Sequence, residues 1–178
     1  MRQSLRTRPA ILVAAAALVI ALPSSVGAQE DVTKAIAEFK KADSGIAQVF
    51  ATAYGYAIFP SVGKGGMGIG GARGKGYVYE QGHLIGRSTL TQLTIGLQFG
   101  GQAYREVIFF KDKTALDDFK RGNYEFSAQA TAVALKAGAS ADLAYNGGVA
   151  IVTMAKGGLM YEASVGGQKF SYKPVTPK

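Results

Sequence analysis

From Asp31 to about Ala53 the apolar residues Val32, Ala35, Ile36, Phe39, Ile46, Val49, Phe50 and Ala53 recur mostly at three- and four-residue steps. Lys34, Glu38, Lys40, Lys41 and Asp43 lie between them. That period predicts an amphipathic helix. Gly45 falls inside it and costs up to about 1 kcal/mol against alanine, which marks a place for a break. Two placements are open to the apolar stripe. It can dock on a domain core, or lie in a membrane interface with its lysines toward headgroups and Phe39, Ile46 and Phe50 toward acyl chains. Farther along, the period changes to two. Leu93, Ile95, Leu97 and Phe99 alternate with Thr94, Gly96 and Gln98, and "EVIFF", "GVAIVTMA" and "LMYEASV" are short β-rich runs bounded by glycine or charge. These predict strands of an antiparallel sheet. One segment departs from the pattern: in "KDKTALDDFKR", Lys111 to Arg121, Ala115, Leu116 and Phe119 share a helical face, capped by Asp112 or Thr114.

The pattern implies an α+β domain: an amphipathic N-terminal helix packed on a glycine-rich, mainly antiparallel β-sheet or partly closed β-barrel, with one short inserted helix. Ala57-Ile58 leads into Lys64-Gly65-Gly66-Met67, and Ala150-Ile151 leads into Lys156-Gly157-Gly158-Leu159, which predicts two similar hairpins. Only the tail "KPVTPK" reads as loose, so residues 29–173 form one domain and 174–178 a flexible end.

The stretch "SVGKGGMGIGGARGKGYVY", Ser61 to Tyr79, is dense in glycine and holds no acid. Gly66, Gly68 and Gly71 satisfy G-x-G-x-x-G, but a dinucleotide site needs a following helix whose N-terminus receives the pyrophosphate, and "ARGKGYVYEQG" reads as strand. A phosphate loop of the Walker type fails as well, since Lys75 is followed by Gly76 and Ile69 stands where a glycine is required. A linker would lack Met67, Ile69, Tyr77, Val78 and Tyr79. The glycines therefore predict sheet architecture, with Gly66, Gly68 and Gly70 baring one face for a close backbone, a bend or a stacked ring.

Charge adds a second aspect. The first residues carry Arg2, Arg6 and Arg8, an apolar run from Ala10 to Leu22 and the small residues Val26-Gly27-Ala28, the layout of a secretory leader spanning residues 1–28. The run is shorter than the roughly 20 residues a spanning helix needs. Loss of its three arginines would take the net charge from +8 to +5. An exported basic protein, periplasmic, outer-membrane-associated or secreted, meets anionic surfaces such as headgroups more than nucleic acid. Between Asp43 and Glu106 the sole acid is Glu80, against Lys64, Arg73, Lys75 and Arg87. With no cysteine, packing alone holds the fold.

Chemistry is thinly provided. His83 is the sole histidine, no Ser61, Ser88, Ser127 or Ser164 stands in G-x-S-x-G, and Asp117 and Asp118 point about 100° apart on a helix. No catalytic residue, cofactor or metal ligand is expected.

"YAIFPSVGKGGMGIGGARGKGYVY", then "LTIGLQFGGQAYREVIFF", a short helix and "VAIVTMAKGGLMYEASVGG", resemble the SYLF domain family. The resemblance implies binding of lipid, phosphoinositides in eukaryotic members, largely through a basic N-terminal helix, and actin binding in fungal members. Lys34, Lys40 and Lys41 occupy that helix here. Where eukaryotic members have W-S-A-P this chain has His83-Leu84-Ile85-Gly86-Arg87, and a leader makes actin a fitting partner only for a protein delivered into a host. The expectation is peripheral binding of an anionic lipid surface through Lys34, Lys40, Lys41, Lys64, Arg73, Lys75 and Arg87. The alternative is a structural or interaction protein, up to a homo-oligomer, pairing through flat glycine-rich strands.

Overall fold

The computed structural model describes residues 25–96, 102–156 and 165–175; the leader segment up to Ser24, the end of the alternating run and nearly all of "LMYEASV" lie outside them. The helical period resolves into α1 (Ser25–Ala42) and α2 (Ile46–Thr52). The break comes where Gly45 stands. The Asp43 carboxylate accepts from the Gly45 N–H at 2.9 Å and from the Ser140 N–H at 2.6 Å, and a side chain at Gly45 would collide with Ser140. The Ser140 bonds, foremost that backbone N–H, hold the Asp43 carboxyl below its ordinary range. α1 starts at Ser25, ahead of the expected processing point after Ala28.

Among the described residues seven strands follow: β1 (Gly55–Glu80), β2 (His83–Gly96), β3 (Gln102–Phe110), β4 (Tyr124–Glu125), β5 (Val133–Ala134), β6 (Val149–Ala155) and β7 (Lys169–Pro174). They form one sheet in the order β4-β7-β2-β1-β3-β6-β5, antiparallel except where β5 joins β6. α3 (Lys113–Lys120) follows β3, and its cap is Asp112, whose side chain accepts from the Ala115 N–H at 3.0 Å.

β1 would run about 86 Å if straight. Instead the Tyr54 hydroxyl reaches Glu80 at 2.7 Å, the Tyr54 carbonyl accepts from the Gln81 N–H at 3.0 Å, and Phe59 and Val62 lie over Gly76 and Gly74. The segment thus doubles back as the hairpin expected from Ala57-Ile58 into the glycines. Residues 55–64 pair with β3 and residues 68–80 with β2. A register shift between Phe59 and Val62 contains Pro60, which has no N–H to give to a ladder. The second expected hairpin, at Lys156–Leu159, falls mostly outside the described residues.

The helices cover one half of the outer face. Val32, Ala35, Phe39 and Ile46 are buried against Ile58, Val107, Phe109, Ala150 and Val152, and the Phe50 ring meets Phe109 edge-on at 4.9 Å. This settles the stripe's placement as docked: Phe39 and Ile46 are fully buried and have no surface to offer acyl chains. The inner face packs Phe59, Val62, Leu90, Ile108, Phe110 and Phe170 beneath Leu116 and Phe119 of α3. β4 and β5 stand at opposite edges of the sheet, yet only residues 126–132 join them, and Phe126 from that link packs edge-on against Phe170 at 5.0 Å. The sheet therefore curls into a partly closed barrel, and the fold is α+β. Glycine permits the tight curl. A Cβ on Gly76 would stand 2.5 Å from the Phe59 ring, so the ring occupies the bared position.

β7 extends to Pro174, and the Val175 N–H donates to the Ile85 carbonyl at 3.0 Å, so paired backbone continues into the segment read as a loose tail.

Candidate anion-binding face

Where the helices stop, no described residue covers the outer face of the sheet. Side chains alternate across a strand, so the buried positions Ala72, Gly74 and Gly76 of β1 turn Arg73, Lys75 and Tyr77 outward. The register then builds three rows across β1, β2 and β7. The first is Arg73, Thr91, Lys169; the second Lys75, Thr89, Ser171; the third Tyr77, Arg87, Lys173. Neighbours within a row have Cβ atoms about 5 Å apart. Rows are separated by about 6.7 Å. Five cations thus stand on a surface floored by hydroxyl side chains. The outward positions of these rows hold no acid, and Glu125 on β4 pairs with Lys169 at 3.5 Å from the sheet edge. Beside Arg73 in sequence, Gly71 pairs with Leu93, whose side chain is 86% exposed, an apolar point at the rim of a basic surface. On the far side of the hairpin, Arg105 of β3 and Lys156, whose N–H donates to the Ala103 carbonyl at 2.9 Å, carry the outward positive charge on.

Arg73, Lys75 and Arg87 are brought together as one cluster. Lys169 and Lys173 join them from β7, a strand that sequence reasoning had not singled out. The signal was the alternation in "KFSYK", which puts both lysines and Ser171 on one side. Lys64 stands apart from the cluster: it is half-buried, pairs with Gln102, and shares the inward side of β1 with Val62. Lys34, Lys40 and Lys41 are exposed on α1, in the same outer layer but on the helix-covered half, and Lys40 Nζ lies 5.6 Å from the centre of the Phe50 ring. Tyr77 is half-buried, and Tyr79 is buried and stacked on Tyr56 with centroids 4.9 Å apart. Burial, and then Tyr79 beside it, push the Tyr56 hydroxyl up to about 12.

Behind the face the interior holds a polar cluster around Glu106. Gln168, the residue before β7, crosses the barrel and donates from Nε2 to Tyr104 Oη at 3.1 Å and to Glu106 Oε2 at 3.0 Å. Glu106, Gln168 and Thr153 are fully buried, and Glu106 Oε1, Thr153 Oγ1 and Gln168 Oε1 have no hydrogen-bond partner among the described residues. Burial raises the Glu106 carboxyl to about 8, the Gln168 bond opposing it, so the group is mostly neutral at pH 7. His83 is exposed beside the Gln81–Gly82 turn. Asp117 pairs with Lys113 and Lys120 while Asp118 turns to Arg121. Among the described residues no group of three or more His, Cys, Asp or Glu could hold a metal ion, and no helix is long and apolar enough to cross a membrane.

Residues 91–174 match the Ysc84 family, described as Las17-binding protein actin regulator. The beta cell expansion factor A of Aeromonas veronii is 31% identical over 125 residues, covering 68% of this chain and 47% of that protein. The chain thus spans about half the length of that relative. The family match takes in the end of β2 and all of β3, α3, β6 and β7, and together with a relative 31% identical over 68% of the chain it shows that the chain belongs to the Ysc84, or SYLF, family.

Proposed function

We propose that this protein is a non-enzymatic, exported binding protein that adsorbs to anionic lipid surfaces through the outer face of β1, β2 and β7. The observation that carries the reading is the three-row register that gathers Arg73, Lys75, Arg87, Lys169 and Lys173 on one uncovered face. A membrane presents many headgroup charges in a plane, and a sheet face bearing cations about 5 to 7 Å apart engages several at once. Each basic side chain near such a surface contributes about 1 kcal/mol, so five support adsorption that is weak singly and adequate together. Leu93, beside the cations, offers an apolar contact at headgroup depth. The exposed lysines of α1 reinforce attraction from the neighbouring half of the layer. The family is described as one of actin regulators; the leader-like start of this chain favours lipid over a cytoplasmic filament. Edge-to-edge strand pairing is the weaker reading, because the edge strands β4 and β5 are two residues each and offer little backbone to a partner.

The test is co-sedimentation with vesicles of phosphatidylcholine alone and with phosphatidylglycerol added, across a salt series. Binding to the anionic vesicles alone, lost in salt and abolished by Arg73→Glu with Lys75→Glu, is expected. Lys64→Ala should bind like the unaltered protein, since Lys64 faces inward. Equal binding to both vesicle types, or to neither, would sink the reading.

A further inference from the structure

We infer that Glu106 and Gln168 are positioning residues for the basic face, forming a proton-dependent brace across the barrel that fixes β7, and with it Lys169 and Lys173, beside β2. The inference rests on the lipid-binding reading of that face and adds its regulation.

In the sheet order β7 and β3 are not neighbours, since β2 and both arms of β1 lie between them. Their side chains nevertheless meet, because the sheet curls and Gln168 spans the interior to Tyr104 and Glu106. Both Nε2 hydrogens of Gln168 are used in that contact. The next residue is Lys169, whose side chain points the opposite way into the first row of the face. On the other side Glu106 adjoins Arg105, which also points outward. The brace thus ties two cation-bearing strands from behind.

A neutral carboxyl suits this place. Its proton on Oε1 can be donated to an oxygen, and the Thr153 hydroxyl, on the residue paired with Glu106, is one of the acceptors left open there. Among the described residues, an ionised carboxylate has one amide N–H to meet it and no cation. From β1, Phe59 and Val62 face it; from β2, Leu90 and Gln92 line the same interior; from β6, Thr153; from β7, Gln168 and Phe170; and from its own strand, Tyr104. Among these Tyr104 alone titrates, and burial, then the Glu106 charge, raise its hydroxyl too. The charged residues of α3 lie at the surface, Lys113, Asp117, Lys120 and Glu80 bonding one another. Lys64, on the inward side of β1, pairs two rows away at Gln102, about 13 Å along β3. Removing the proton therefore leaves a buried charge that the interior cannot compensate, and the relief open to it is entry of water with separation of β7 from β3.

The experiment follows hydrogen exchange of the β7 amides, and in parallel sedimentation with phosphatidylglycerol-containing vesicles, from pH 6 to about pH 9.5 for the purified protein, for Glu106→Gln and for Gln168→Met. Lysines and arginines hold their charge over most of that range. The unaltered protein should lose β7 protection in a step of one proton, with vesicle affinity down about tenfold one pH unit above the midpoint, as the competent fraction falls. Glu106→Gln, which keeps size and a donor without the charge, should show no step. Gln168→Met should be poorly protected at every pH, and carries the test if Glu106→Gln fails to fold. A step shared by the unaltered protein and Glu106→Gln, or protection unchanged to the top of the range, overturns the brace. A β7 step restricted to proteins retaining Glu106, with no vesicle binding at any pH, supports the brace and overturns the lipid reading. Vesicle binding with no β7 step overturns the brace and leaves the lipid reading standing.

Discussion

A methyl group placed on Gly76 would enter the ring of Phe59, which is fully buried and has no free side to move toward. Gly76→Ala is expected to lower stability by about 1 to 3 kcal/mol, as overpacking does. Combining it with Phe59→Leu should cost less than the two changes summed, a coupling that denaturant unfolding of the four proteins would show. Gly65, around which a Cβ would meet nothing within 4 Å, should accept alanine within about 0.5 kcal/mol. Glu106 gives the opposite kind of residue, one whose cost depends on pH. Its folded pKa is raised, so the folded state holds the proton longer than the unfolded chain. The stability associated with the neutral group is complete below about pH 4.5 and is lost as pH climbs to about 8, at roughly 1.4 kcal/mol per unit of displacement. The melting temperature should fall across that window and stay flatter in Glu106→Gln. The sequence showed this acid at the head of "EVIFF" without revealing its side, because one residue of register decides whether it meets water or Phe59.

At the scale of elements, periodicity told most of what α1 does with its apolar residues and little of where its lysines stand. Phe39→Ala should destabilise the fold by about 3 to 5 kcal/mol, since the ring is fully buried between helix and sheet. Lys34, Lys40 and Lys41 changed together to alanine should leave the melting temperature within a few degrees and weaken vesicle adsorption less than the Arg73→Glu and Lys75→Glu pair. The break at Gly45, the Asp112 cap and the hairpin through the glycines were all legible, each having a local cause in residue type. β7 was missed as a strand: six residues with a short alternation give a weak signal unless a partner strand is known, and β2 lies some 80 positions earlier. The side taken by Lys64 was hidden for a related reason, because the register shift around Pro60 alters the alternation ahead of it.

For the whole molecule the separation of faces matters more than any one charge. Aromatic rings and helices take the inner face and half of the outer one, leaving cations, threonine and serine for the rest. Raising salt from low to physiological levels shortens the screening length to about 8 Å, comparable to the spacing of the rows. Adsorption should therefore decline steadily with salt rather than in a threshold, and a plot of bound fraction against ionic strength for the unaltered protein and the charge-reversed pair would show the two curves meeting at high salt.

The return of β7 to β2 also dictates a sequence of events in time. Thr91 and Lys169, partners in the first row, are separated by 78 positions, and β7 follows the other described strands of the sheet in the chain. A chain emerging from the ribosome, or threading through a translocation channel from its N-terminus, can form the β1 hairpin early from local contacts but cannot close this sheet until β7 has passed. Until then Gly86 to Thr91 of β2 remain an open edge, and three of the five charges of the face stand without their neighbours. A nascent or truncated chain ending before Lys169 would be a sticky, half-charged intermediate, so closure of the sheet and assembly of the basic face are completed together, by β7.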